Sequence, residues 1–189
     1  MYNRAAPQDS FTAWVFGDDY LEPFAFAAPP RHSGQLASLL QKGDFRTVCV
    51  LDTIAPAALT TAYAAVANVY TQQAAVRGLF YADADGKLSD PSGRILWFNG
   101  KPMAICRFIL KNDAAYENVS RTGLQLAATL NNLPTNPANA NAYSVVWIDP
   151  AGGGLVEAAK AVGALNTAVR VVSPEVFIEM IRLNNAGGF

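Results

Sequence analysis

Charge is scarce in this 189-residue chain, where 14 Lys and Arg face 15 Asp and Glu for a formal net charge of −1. The basic residues are scattered without a run or stripe, which argues against a nucleic-acid or anionic-membrane binder acting through charge. Histidine is nearly absent. His32 is alone, with no partner His or Cys at the spacing a zinc site needs. The two cysteines, Cys49 and Cys106, lie in apolar strand-like runs and read as buried free thiols, with adjacency on a sheet as the alternative. No apolar run is long and uninterrupted enough to span a bilayer, and residues 1–7 lack the apolar region of a signal peptide. A G-x-S-x-G elbow, a G-x-G-x-x-G turn and a Walker A loop are all missing. The expectation is a chain with no metal, no cofactor, no nucleic-acid partner and no membrane insertion.

What is present is a globular composition, 51% hydrophobic and 15% charged, in a length suited to one domain over 1–189. Phe11–Phe16, Arg46–Leu51, Gly78–Tyr81, Tyr143–Ile148 and Val169–Val172 read as strands, rich in β-branched and aromatic residues. Helices are expected over Gln35–Gln41, Pro56–Tyr70, Asp113–Leu130 and Leu155–Leu165, and again after the Ser173-Pro174-Glu175 start signal. Asn99-Gly100 between two apolar runs predicts a hairpin with a type I′ turn. Pro102, just past that turn, points to a sheet edge. The stretch from Asn131 to Asn141, crowded with Asn and holding Pro134 and Pro137, is a loop. Strands alternating with helices predict an α/β fold. Its mostly parallel sheet is flanked by helices, partial or distorted barrel-like, with one β-hairpin inserted around 94–110.

Parallel sheets build sites at the carboxyl ends of their strands. Asp18, Asp19, Tyr20 and Glu22 follow the first strand, Asp52 the second, Asp83 and Asp85 the third, and Asp149 the strand after the loop. Carboxylates gathered on one rim suit glycoside hydrolysis, in which one protonates the leaving oxygen and the other attacks or activates water. Tyr20, Trp97 and Trp147 are candidate platforms for a sugar face. Acids in these positions also cap the helices that follow strands, and Trp97 and Trp147 equally suit a core. Gly152–Gly154 before a helix is either an anion cradle or a flexible turn. Asn118-Val119-Ser120 is a glycosylation sequon, set here on a predicted helix.

Gly17-Asp18-Asp19-Tyr20-Leu21-Glu22-Pro23, Asn99-Gly100-Lys101-Pro102 and Val171-Val172-Ser173-Pro174-Glu175 follow one another in an order and spacing that resembles the C-terminal domain of the GxGYxYP putative glycoside hydrolase family. In the signature, Gly17, Tyr20 and Pro23 match, while Asp19 replaces a Gly and Glu22 replaces a Tyr. The resemblance implies a glycan partner, catalytic roles for Asp18, Asp19 and Glu22, and binding roles for Tyr20, Asp52, Trp147 and Asp149. It also implies a secreted or cell-surface bacterial setting. Family members carry an upstream Asp-Gly-Asp-Asn stretch and a further N-terminal domain, and this chain begins after both. The competing expectation is a non-catalytic structural or self-assembling subunit, a homo-oligomer, on the same fold. The altered signature and the low-charge, Ala- and Asn-rich composition favour it.

Overall fold

A computed structural model describes residues 12–15, 40–43, 45–52, 64–83, 93–111, 119–150 and 154–185. The strands are β1 (Thr12–Val15), β2 (Thr47–Asp52), β3 (Gly78–Asp83), β4 (Ile95–Phe98), β5 (Lys101–Leu110), β6 (Val119–Ser120) and β7 (Val145–Ile148). The helices are α1 (Ala64–Thr71), α2 (Gly123–Asn131), α3 (Gly154–Gly163) and α4 (Pro174–Asn184), with a 3₁₀ turn at Ala140–Ala142. The main path of the sheet runs β1-β2-β3-β5-β4, and β6 and β7 pair with β5 off this path. Every pairing is parallel except β4 with β5, the inserted hairpin. The sheet stays open, with β1 and β4 at the ends of the main path, so the barrel-like expectation resolves into an open α/β sheet.

The period-2 alternation of strands assigns the core. Val48, Val50, Leu79, Tyr81, Met103 and Ile105 form one face and pack with Ala67 and Tyr70 of α1. Their neighbours Cys49, Phe80 and Ala104 form the other, against Ile178 and Ile181 of α4. Both isoleucines are wholly buried, and truncating such a side chain typically costs about 2–5 kcal/mol. Gly78 is required by this contact, since a Cβ there would sit 2.6 Å from the Ile178 side chain.

The hairpin forms as its Asn-Gly turn demands. Asn99 has φ 50° and Gly100 φ 70°, the two positive angles of a type I′ turn. Asn99 then donates to Thr71 Oγ1 and Lys101 to the Gln73 carbonyl, at 3.0 and 2.7 Å, docking the tip on the end of α1. Pro102 opposes Trp97 and stands one residue before β5 meets β3 at Met103, so its missing N–H interrupts no recorded β3 pair.

Three sequence expectations change. The predicted helix Asp113–Leu130 is shorter: Val119–Ser120 is a strand, and α2 begins at Gly123. Thr122 and Gln125 form a capping box that starts the helix there, so Gly123, inside the longer predicted span, is its first residue. Its lack of a side chain lets α2 lie on α3, where a Cβ would overlap the Glu157 carbonyl. Val169–Val172 is not a strand. No strand among the described residues pairs with it, its Val169 N–H turns back to the Asn166 carbonyl at 3.1 Å, and Val171 is exposed. Finally, α3 begins at Gly154, where the Asp149 carbonyl occupies the space of a Cβ, so close packing explains that glycine.

Glu157 ties the two helices together. Its carboxylate accepts from the Gly123 N–H at 2.7 Å and from Lys160 at 2.6 Å. The hydrogen bond from Lys160, then that from Gly123, holds its pKa below the ordinary glutamate value. A carboxylate depressed on folding stabilises above its unfolded pKa and loses that contribution as pH falls through the folded one. The midpoint of thermal unfolding should therefore drop more steeply below about pH 4.3 for the wild type than for Glu157→Gln. The variant should be less stable at pH 7 and converge with the wild type in acid. Parallel curves across the pH range would contradict this role.

Candidate functional site

Three parallel strands deliver their carboxyl ends to one edge of the sheet. Val15, the last residue of β1, is in register with Val50, and Asp52 is in register with Asp83 as β2 and β3 end. Adjacent strands lie roughly 4.8 Å apart, so the backbones of Asp52 and Asp83 are immediate neighbours. The chain leaves β1 two residues short of that pair. Asp18, Asp19, Tyr20 and Glu22 belong to the segment that follows and lie outside the described residues, as do His32, Asp85, Asn118, Gly152 and Gly153.

Asp149 follows β7, whose Ile148 pairs with Leu110, and its N–H donates to the Leu110 carbonyl at 3.1 Å. Tyr81 pairs with Ile105, which sets Asp149 about four residues further along β5 than Asp83, roughly 13 Å at the rise of a strand. There Lys111 Nζ stands 3.6 Å from its carboxylate. Register thus joins Asp52 with Asp83 and sets Asp149 apart.

The second feature is a mostly apolar cleft of about 1050 Å³ on the sheet face that carries Cys49, Phe80, Ala82 and Cys106. Its walls come from β7 and the residues before it, from α4, and from the unpaired segment 165–172. Trp147 lines it while packing on Leu51, Ala82 and Cys106, so this residue belongs to both core and cleft. Trp97 is half-buried in the cluster beneath α4 and is not part of the wall. Tyr143 and Phe177 meet edge to face at 5.7 Å, and Phe177 tilts against Phe80 at 5.9 Å.

Both thiols are buried and neither is in a disulfide; Cys106 donates to the Phe108 carbonyl at 3.3 Å. Burial, with a smaller effect from Cys106, pushes the Cys49 thiol up to about 12, which removes it as a nucleophile near neutrality. Among the described residues no three His, Cys, Asp or Glu gather in a way that could hold a metal ion. Among them, too, no helix is long and apolar enough to cross a membrane.

Sequence reasoning singled out Trp147 but missed the cleft. Its lining comes from the strands of the sheet, from within 130–150 and from within 165–180, and the one local signal was the apolar run Val169–Val172, which reads equally well as a strand. Asp83, one of two acids after the third strand in the sequence, is set beside Asp52 by the register of β2 and β3.

Residues 1–182 match the GxGYxYP putative glycoside hydrolase C-terminal domain. The chain belongs to the GxGYxYP family. Among solved structures it is similar to a putative hydrolase from Bacteroides thetaiotaomicron VPI-5482, with a TM-score of 0.79 and 23% identity. That alignment covers 97% of this chain and 35% of the other, so the chain spans about a third of its neighbour's length. At this identity the likeness shows the fold. No curated protein matches the chain. As a GxGYxYP C-terminal domain the chain is glycoside hydrolase-like, and its open, mostly parallel sheet is the frame on which any such site is built.

Proposed function

We propose that this GxGYxYP domain handles a carbohydrate, binding a glycan or cleaving it with carboxylates at the ends of its parallel strands. The observation that carries this reading is the register of β1, β2 and β3. It sets Asp52 beside Asp83 and releases the chain from β1 two residues short of them, directly ahead of Asp18, Asp19 and Glu22. Family membership supplies the chemical class. In this reading Asp18, Asp19 and Glu22 provide the acid and the nucleophile or base, while Asp52 and Tyr20 hold the sugar. Trp147 borders the adjoining cleft, and Asp149, next to Lys111, contributes from further along the sheet.

A second reading, a non-catalytic assembling subunit, draws on one surface. Leu155 and Val162 of α3 are 70% and 54% exposed at helical spacing, with Val156 beside them at 61%. Such apolar helix faces pack against partners.

Two measurements separate the readings. Asp19→Asn with Glu22→Gln, and Asp52→Asn alone, should each lower glycan-array binding at least tenfold, or hydrolysis by about 10²–10⁴. Their circular dichroism should be unchanged. Wild-type behaviour in both assays would remove the carbohydrate reading. Light scattering at high protein concentration should show a monomer if the α3 face has no partner copy, and a defined oligomer if assembly is the role.

A further inference from the structure

The cleft lies on the second sheet face and reaches toward the strand ends. Ala82, on its wall, directly precedes Asp83, and Ile148 and Pro150 flank Asp149, which stands apart from Asp52 and Asp83 along the sheet. A sugar ring is an unsuitable occupant, because each hydroxyl taken from water needs a new hydrogen-bond partner. The wall has little to offer. The Thr12 hydroxyl is engaged with Thr47 at 2.8 Å. The Tyr143 hydroxyl donates toward the Pro137 and Met180 carbonyls, at 3.0 and 3.2 Å, and accepts from Asn184 at 3.3 Å. The Ser144 hydroxyl is buried and has no hydrogen-bond partner among the described residues, the one unengaged polar side chain set within the wall rather than on its rim. Thr135 and Arg170 are at exposed positions, on the rim. What remains is apolar and aromatic: Phe80, Trp147, Val169, Val172 and Phe177 among others. At about 1050 Å³ the space is at the upper end of small-molecule sites.

We infer that this cleft takes an alkyl or aryl group, and that the ligand of the domain is a glycoside with an apolar aglycone. The sugar lies at the strand ends and the aglycone in the cleft. The second half of this inference rests on the carbohydrate reading above, whereas the first half does not. The hydrogen-bonding inventory of the wall selects the class: a hydrocarbon gives up no hydrogen bonds on entry and loses contact with water.

The test uses the full chain labelled with fluorotryptophan and three probes: octan-1-ol, octyl glucoside below its micelle-forming concentration, and glucose. Fluorine NMR should show the Trp147 resonance, assigned with Trp147→Phe, shifting with octanol and octyl glucoside and not with glucose. Ala142→Phe, a half-buried wall residue away from the acids at the strand ends, should weaken both alkyl probes at least tenfold while its circular dichroism stays unchanged. Octyl glucoside binding at least tenfold tighter than octanol supports the glycoside assignment. Equal affinity of the two overturns the glycoside half and supports an apolar-ligand cleft alone. An unmoved Trp147 resonance with both alkyl probes overturns the cleft assignment, whatever a glycan array shows. So does unchanged alkyl affinity in Ala142→Phe.

Discussion

The ten-residue strand β5 is the constraint on which the rest of the structure depends. Its first half pairs with β3 on one side and with the antiparallel β4 on the other. Its second half pairs in parallel with β6 and β7. Between the halves the register against β7 slips at Arg107, so that Cys106 opposes Val145 and Phe108 opposes Val146. An extra residue of this kind bends a strand and increases its twist. Before the slip, Ala104 faces α4. After it, Phe108 and Leu110 pack on Leu126 of α2 and Ala161 of α3. Arg107 itself is buried, donates to the Asn141 carbonyl at 3.0 Å and lies over the Phe108 ring. One strand thereby joins two packing layers, and the cleft opens along the face where they meet.

Much of the fold was legible because it follows local rules. Asn99-Gly100 fixes a hairpin through two positive φ angles, and Ser173-Pro174-Glu175 starts α4 with a side-chain cap and a proline in its first turn. Unbroken runs such as Thr47–Leu51 and Gly78–Ala82 are buried on both faces, as parallel strands between helices must be. What failed locally was decided by distant contacts. Gly123 lay inside a longer predicted helix, yet the capping box makes it a start and the backbone of α3 makes it obligatory. Val169–Val172 has the composition of a strand, but the sheet offers it no partner among the described residues, and it lines the cleft instead.

The acids after the strands were legible as sequence, and their arrangement was not. Parallel pairing turns sequence distance into adjacency for Asp52 and Asp83, 31 residues apart. Nothing local distinguished them from Asp149, because only the register along β5 shows that Asp149 stands further along the sheet. The cleft was not legible, since an apolar wall and an apolar core have the same composition. Membership of the GxGYxYP family makes the domain glycoside hydrolase-like, and Asp19 and Glu22 lie in the stretch of sequence that follows β1.

A crystal structure of the chain with a bound oligosaccharide would test the central claim most directly. The account predicts the sugar at the carboxyl ends of β1, β2 and β3, within hydrogen-bond reach of Asp52 or Asp83. Two carboxyl groups should flank it at about 5–10 Å from each other. Sugar bound elsewhere on the domain, or acids splayed well beyond that separation, would contradict it.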